Sequence, residues 1–220
     1  MKPARAYNFL IVMVIVVLSS CHKEIQSQTE VYSNNFESAT LQGIEGGIQS
    51  SYDNKKVLGF YNNGGFTLTM PGLKKHELIL VKFDLYLHDT WAGNNTGNKV
   101  VIDGPDIWQL KIDNETVINT TFSNSGCLPT YCQQQSYPKN FPFHHDAGYG
   151  ASRTNLPGRC SLANIPGGTT MYRIEKIFNH SGSSLKLEFN DLLKQNNAKN
   201  MLCDESWSLD NLSVSTLTLD

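Results

Sequence analysis

Hydrophobic residues recur with a period of two through much of this chain. From Ile79 to Leu87 the odd positions are Ile79, Val81, Phe83, Leu85 and Leu87, with Lys82, Asp84 and Tyr86 between them. Successive side chains of a strand point to opposite faces, so this alternation predicts a half-buried strand. Trp108, Leu110 and Ile112 alternate with Gln109, Lys111 and Asp113, after which "DNET" turns the chain into the run from Val117 to Phe122. That pair of runs predicts a β-hairpin. The pattern returns at Leu185, Leu187 and Phe189, behind the turn-forming "NHSGSS". Helical periodicity is nearly absent, with one turn expected at "NDLLKQ", residues 190–195. Strands joined by Gly-, Asn- and Pro-rich connections predict an all-β fold, a two-sheet antiparallel β-sandwich of the jelly-roll kind.

Two stretches depart from the alternation. The chain opens "MKPARAYNFLIVMVIVVLSSC": cations, an apolar run from Phe9 to Leu18, small residues and a cysteine. The run is too short to span a bilayer and has the layout of a secretory signal over residues 1–20. Its ending has the form of the bacterial lipobox, which predicts that Cys21 is acylated and anchors the chain in the cell envelope. Plain secretion and a retained anchor are the alternatives. Residues 22–30, "HKEIQSQTE", are polar and aperiodic and read as a tether, leaving 31–220 as one domain.

The second departure covers about 127–168. It holds Pro129, Pro138, Pro142, Pro157 and Pro166 and three of the four cysteines that remain once Cys21 is set aside. A long structureless insertion in a compact domain implies function or covalent pinning. Cys127, Cys132, Cys160 and Cys203 are an even set in an exported chain, which predicts two disulfides with the pairing open. Cys127 and Cys132 as half of a zinc site is the alternative, against which His144 and His145 lack the usual ligand spacing.

Charge narrows the partners. The chain carries 18 Lys and Arg against 20 Asp and Glu, and Lys2 and Arg5 leave with the signal, so the mature protein is more acidic still. No basic cluster exists to neutralise phosphates, which excludes nucleic acid as a partner. Membrane contact is expected through the N-terminal lipid alone.

The final strand singles out one carboxylate. In "DESWSLDNLSV" the apolar positions Trp207 and Leu209 are odd, whereas Leu212 and Val214 are even. A change of parity needs an inserted residue, hence a β-bulge at Asp210 and Asn211. A bulge re-aims a side chain along the sheet edge, where a carboxylate meets main-chain carbonyls, the oxygen ligands that Ca2+ takes. The alternative is that Asp210 and Asn211 cap a turn in water. Asp103, Asp106 and Asp113 around "DGPDIW", with Asp84 and Asp89 nearby, read as turn residues or as a weaker second ion site. Trp108 is expected in the core. Trp91, in the loop "HDTWAGNNTGN", packs there or stacks on a sugar ring, and Tyr137 and Tyr149 are the other candidates for ligand stacking.

Several segments resemble a known family. "VYSNNFES", "FDLYLHDTW" with "GPDIWQLKIDNETVINTTFSN", and "DESWSLDNLSV" are similar to secreted bacterial jelly-roll modules of the concanavalin-like or galactose-binding-like kind. The resemblance spans most of residues 31–216, apart from the insertion. It implies that the first and last strands lie side by side and share a structural calcium, with Glu37 and Asp210 at the matching positions. Ser208 stands where the family often has glycine, and Ala92 replaces a carboxylate of the "DTW" loop. The residues after Cys21, "HKEI", resemble short signals that send some Bacteroidetes lipoproteins to the outer face of the outer membrane.

Catalytic signals are sparse. His144, His145 and Asp146 are adjacent on an extended segment, where neighbouring side chains point opposite ways, and neither G-x-S-x-G nor H-E-x-x-H occurs. The chain reads as a non-catalytic, calcium-stabilised binding module for a glycan or a surface protein. A polysaccharide hydrolase or lyase on the same sandwich, or an adhesion component without a small ligand, are the competing readings.

Overall fold

The computed structural model describes residues 24–96, 104–127, 132–196 and 198–220. The signal segment and Cys21 lie outside the described residues, and so does Asp103. The strands are β1 (Ile25–Asn34), β2 (Ile44–Glu45), β3 (Gln49–Tyr52), β4 (Lys55–Tyr61), β5 (Gly65–Pro71) and β6 (Leu78–Asp89). They continue with β7 (Ile107–Ile112), β8 (Glu115–Thr121), β9 (Arg153–Pro157), β10 (Pro166–Asn179) and β11 (Ser184–Leu192). A helical turn, α1 (Met201–Asp204), leads into the long closing strand β12 (Glu205–Leu219).

All strand pairs are antiparallel and fall into two sheets. One is ordered β3-β4-β12-β6-β10-β9, with β1 also paired to β12; the other is β2-β5-β11-β7-β8. From β4 onward the chain crosses between sheets at every connection except the β7–β8 and β9–β10 links. That winding is a jelly roll. Two hairpins use the same turn chemistry: Asp53-Asn54 joins β3 to β4 and Asp113-Asn114 joins β7 to β8, all four residues at positive φ. Asp and Asn tolerate the left-handed region that a type I′ turn demands.

The predicted alternation is what fills the sandwich. Val81, Phe83, Leu85 and Leu87 of β6 face Trp108 and Leu110 of β7 and Leu187 and Phe189 of β11 in one buried cluster. Trp91, Trp108 and Trp207 are all fully buried, and Trp207 packs against Trp108 with ring centroids 5.9 Å apart. Burial of each large apolar side chain stabilises the fold by about 1.5–3 kcal/mol. A smaller cluster forms on the other face of the β6 sheet. There Tyr52, Val57, Tyr86 and Met171 are covered by Leu156 of β9.

Three elements differ from expectation. The segment 25–30, expected as tether, is the start of β1: its side chains are exposed, but it pairs with the end of β12, with a register shift between Ile25 and Ser27. Backbone hydrogen bonding needs no apolar face, so polarity alone hides such a strand. Residues 190–192, expected in a helical turn, continue β11, which is paired on both sides by β5 and β7. Two ladders override a weak local preference. The insertion is also less structureless than its composition implies, since β9 lies within it and pairs with β10.

Candidate functional site

The parity break in the last strand is a bulge. From Asp210 to Ser213 β12 advances three residues while β6 advances two, from Asp84 to Lys82. Asn211 sits at φ 52°, a left-handed conformation suited to Asn. The bulge also marks a change of neighbour. Before it β12 pairs with β4 through Trp207, Ser208 and Leu209, and after it with β1 from Leu212 onward. Two strands therefore abut end to end beside Asp210.

Glu37 is delivered to that gap by its own local structure. The Asn34 side chain accepts the Phe36 N–H at 2.7 Å, and Phe36, at φ 57°, plugs the core completely buried. Glu37 is left exposed beyond it and accepts the Lys56 N–H through Oε1 at 3.2 Å. The Gln49 amide holds the same turn, donating to the Ser38 carbonyl at 2.7 Å.

Asp210 is 2% exposed. Burial pushes its carboxyl above the usual carboxylate range; the Asn211 N–H and Lys55 oppose this, while the charges of Asp84 and Glu37 push further. Asp84, directly opposite Asp210 in register, is missing from the sequence-based ion pair. Its oxygens are engaged by Arg173 Nε at 3.0 Å and Asn211 Nδ2 at 2.9 Å. The donor set with spare capacity is thus Asp210 and Glu37. These groups do not form a closed cage. Among the described residues the one trio of potential metal ligands with atoms within 4.8 Å of one another is Cys127, Cys132 and Asp146. Its two cysteines are joined as a disulfide.

The second disulfide is Cys160–Cys203, with Cα atoms 5.0 Å apart, tying the insertion to the turn before β12. Inside the insertion the organising group is Gln135, fully buried. Its Oε1 accepts from the Ser123 N–H at 3.2 Å, the Gly148 N–H at 3.0 Å and the Tyr172 hydroxyl at 2.9 Å. Its Nε2 donates to the carbonyls of Tyr137 at 3.3 Å and Tyr149 at 3.1 Å. The Gln135 backbone also exchanges two hydrogen bonds with His145, at 2.9 and 2.8 Å. Above this lattice Tyr149 is 54% exposed, its ring stacked on His145 at 4.5 Å and 9°. His145 in turn lies against Phe143 at 4.8 Å. The outcome is an aromatic platform on a braced loop.

The other sequence candidates have different roles. Trp91 is fully buried against Phe122, with Nε1 donating to the Ser206 carbonyl at 2.9 Å, so it has no open face for a sugar. Tyr137 is enclosed as well, packed between Phe122 and Tyr172. Of the three proposed rings Tyr149 alone is presented to solvent. Asp89 spends Oδ1 on the backbone N–H groups of Arg159, Cys160 and Leu162 at 3.2, 3.1 and 2.9 Å. It serves as a brace for the insertion. Tight packing at Gly158, where a Cβ would meet the Leu162 carbonyl oxygen at 2.3 Å, keeps that turn closed. Asp106 is buried and accepts the Ala92 N–H at 2.5 Å. Gln135 gave no signal in sequence beyond one member of a polar "QQQ" run.

One contact has the spacing of a nucleophile and its base. The Ser208 hydroxyl lies 2.7 Å from His88 Nε2, and His88 Nδ1 lies 3.0 Å from the Thr169 hydroxyl. All three residues are fully buried, and burial pushes the imidazole down to about 3. This trio pins β6, β10 and β12 together as a neutral hydrogen-bonded row.

No family model matches the chain, and no curated protein matches it. Among solved structures, a family 35 carbohydrate binding module from Clostridium thermocellum is similar over 86% of this chain and 97% of its own, at 11% identity and TM-score 0.37. The module CBM6cm-2 of Cellvibrio mixtus lichenase 5A, solved with cellotriose, gives 84%, 97%, 9% and 0.32 in the same order. The K3 adhesin domain of Lys-gingipain from Porphyromonas gingivalis w83 gives 86%, 100%, 9% and 0.37. These likenesses are distant, and the architecture above stands on the strand register itself.

Proposed function

We propose that this chain is a non-catalytic binding module of the cell envelope, anchored through a lipid on Cys21, stabilised by calcium and recognising a glycan or a surface protein. The observation that carries the binding reading is the platform at Tyr149. A half-exposed tyrosine stacked on His145, with its backbone carbonyl held by the Gln135 amide, is a preorganised ring. Preorganised aromatics bind planar apolar faces, such as those of sugar rings, at low entropic cost.

The calcium reading rests first on burial and only then on like charge. Asp210 is buried in the field of Asp84 and Glu37, and a divalent cation held by Asp210 and Glu37 would neutralise that repulsion and close the seam where β4 and β1 meet. Chelator should lower the melting temperature of the wild type, and Asp210→Ala should abolish the response; an indifferent melting curve removes calcium from the account. For binding, a glycan array with wild type and Tyr149→Ala is read beside reducing-sugar release. Retention that depends on Tyr149 without sugar release supports a binder, whereas release identifies a polysaccharide-active enzyme.

A further inference from the structure

At the end of the sandwich where β1 begins and β12 finishes, three turns meet through two histidines that the binding reading does not use. His76, in the β5–β6 connection, is 1% exposed, and the His180 side chain, in the β10–β11 turn, is 5% exposed. His76 Nδ1 lies 2.6 Å from the Lys74 carbonyl oxygen, and His180 Nε2 lies 3.1 Å from Asp113 Oδ2, in the β7–β8 turn. The inner nitrogens, His76 Nε2 and His180 Nδ1, face each other at 2.7 Å.

Proton counting decides what this geometry requires. A carbonyl oxygen only accepts, so His76 Nδ1 carries a proton. An ionised carboxylate only accepts, so His180 Nε2 carries one too. The two facing nitrogens need a third proton between them, because two lone pairs at that distance repel. Two neutral imidazoles bring only two protons. We propose that His76 and His180 share a single extra proton, forming a one-cation histidine pair balanced by Asp113, and that this proton latches the three turns.

The surroundings are consistent with one positive charge and not two. Asp113 is fixed by Oδ1, which accepts the Lys186 N–H at 2.9 Å, and its own N–H donates to the Lys186 carbonyl. The Lys186 ammonium is directed to Asn114 and Glu188. Glu77 Oε2 accepts the Leu219 N–H at 3.1 Å, and the His180 N–H donates to the Glu77 carbonyl. Lys74 and Lys75 add positive charge on the His76 side, and Glu115 follows Asp113 on its strand. A second proton would place two imidazolium rings in contact with one carboxylate between them.

The decisive measurement is the ¹⁵N spectrum of the histidine rings in the mature chain at neutral pH. Three protonated nitrogens across these two rings support the shared proton; two would overturn it. The second measurement is melting temperature at neutral pH for wild type, His76→Gln and Asp113→Asn. Asn suits the positive φ of residue 113, so the last variant keeps the turn while removing the charge. Both variants should melt roughly 2–4 °C below wild type. Equal melting temperatures for all three proteins would overturn the latch. Elemental analysis of purified protein closes the remaining route: a stoichiometric divalent metal lost in His76→Gln would show that the facing lone pairs hold an ion in place of the proton.

Discussion

Asp89 and Asp210 are both buried aspartates on the same sheet, one at the end of β6 and the other at the bulge of β12, yet their surroundings differ in kind. Asp89 faces backbone amides, three of them on one oxygen. Asp210 accepts one amide, from Asn211, and is desolvated between the opposing charges of Lys55 and of Asp84 and Glu37. The first is a buried anion whose Oδ1 is held by three amides while Oδ2 is left without a donor, and it acts as a structural brace. The second is under-compensated, and an under-compensated buried charge is where a cation gains most. Burial alone does not separate a brace from an ion site; the number of amides each carboxylate already holds does.

The contrast can be tested by removing what each aspartate controls. The largest effect is expected at the Cys160–Cys203 bond, which stands beside Asp89 and closes a separation of 43 residues. Loop-closure entropy gives about 4 kcal/mol for its loss, against about 2 kcal/mol for the short Cys127–Cys132 loop. Urea unfolding of the two double-serine variants measures the difference, and equal costs would mean that the longer bridge constrains nothing. Next, Asp89→Ala should cost about 3 kcal/mol in the same assay, since hydrogen bonds to a charged acceptor contribute about 1.5–3 kcal/mol each.

Asp210 should behave oppositely. In chelator, Asp210→Asn should be neutral or slightly stabilising above the carboxylate range, because it removes a charge the fold disfavours. The sign follows from its raised carboxyl. Such a group contributes stability that is fully present below its unfolded value, near 3.8, and lost as pH rises through its folded value. Wild type in chelator should therefore gain stability on mild acidification relative to Asp210→Asn, and added calcium should reverse that preference. The smallest change in stability, within about 0.5 kcal/mol, is expected for Tyr149→Ala, as for most surface substitutions. Its effect belongs to binding, a loss of roughly tenfold, or about 1.4 kcal/mol, measured by calorimetry against a retained glycan.

Much of the fold was legible because it is written in alternation. The β6 run, the β7–β8 hairpin and β11 were all expected from period-two apolar residues, and the bulge was expected from the parity of Trp207, Leu209, Leu212 and Val214. What escaped was structure stabilised by backbone rather than by apolar side chains. The polar start of β1 shows no core face, and Gln135 looks like any surface glutamine until five hydrogen bonds converge on it. Trp91 was ambiguous because a loop tryptophan packs or protrudes according to what lies opposite, here Phe122.

The sequence by itself determined that this is an antiparallel sandwich, that its last strand bulges at Asp210, and that its insertion is cross-linked by cysteine. Periodicity and parity are local properties, carried by residues a few positions apart. Tertiary structure alone decided which cysteines pair, that Asp84 stands opposite Asp210, that Asp89 grips a turn some seventy residues away, and that His76 meets His180. Those outcomes depend on strand register and on contacts between distant segments, where the sign and distance of each neighbour set what a side chain can do.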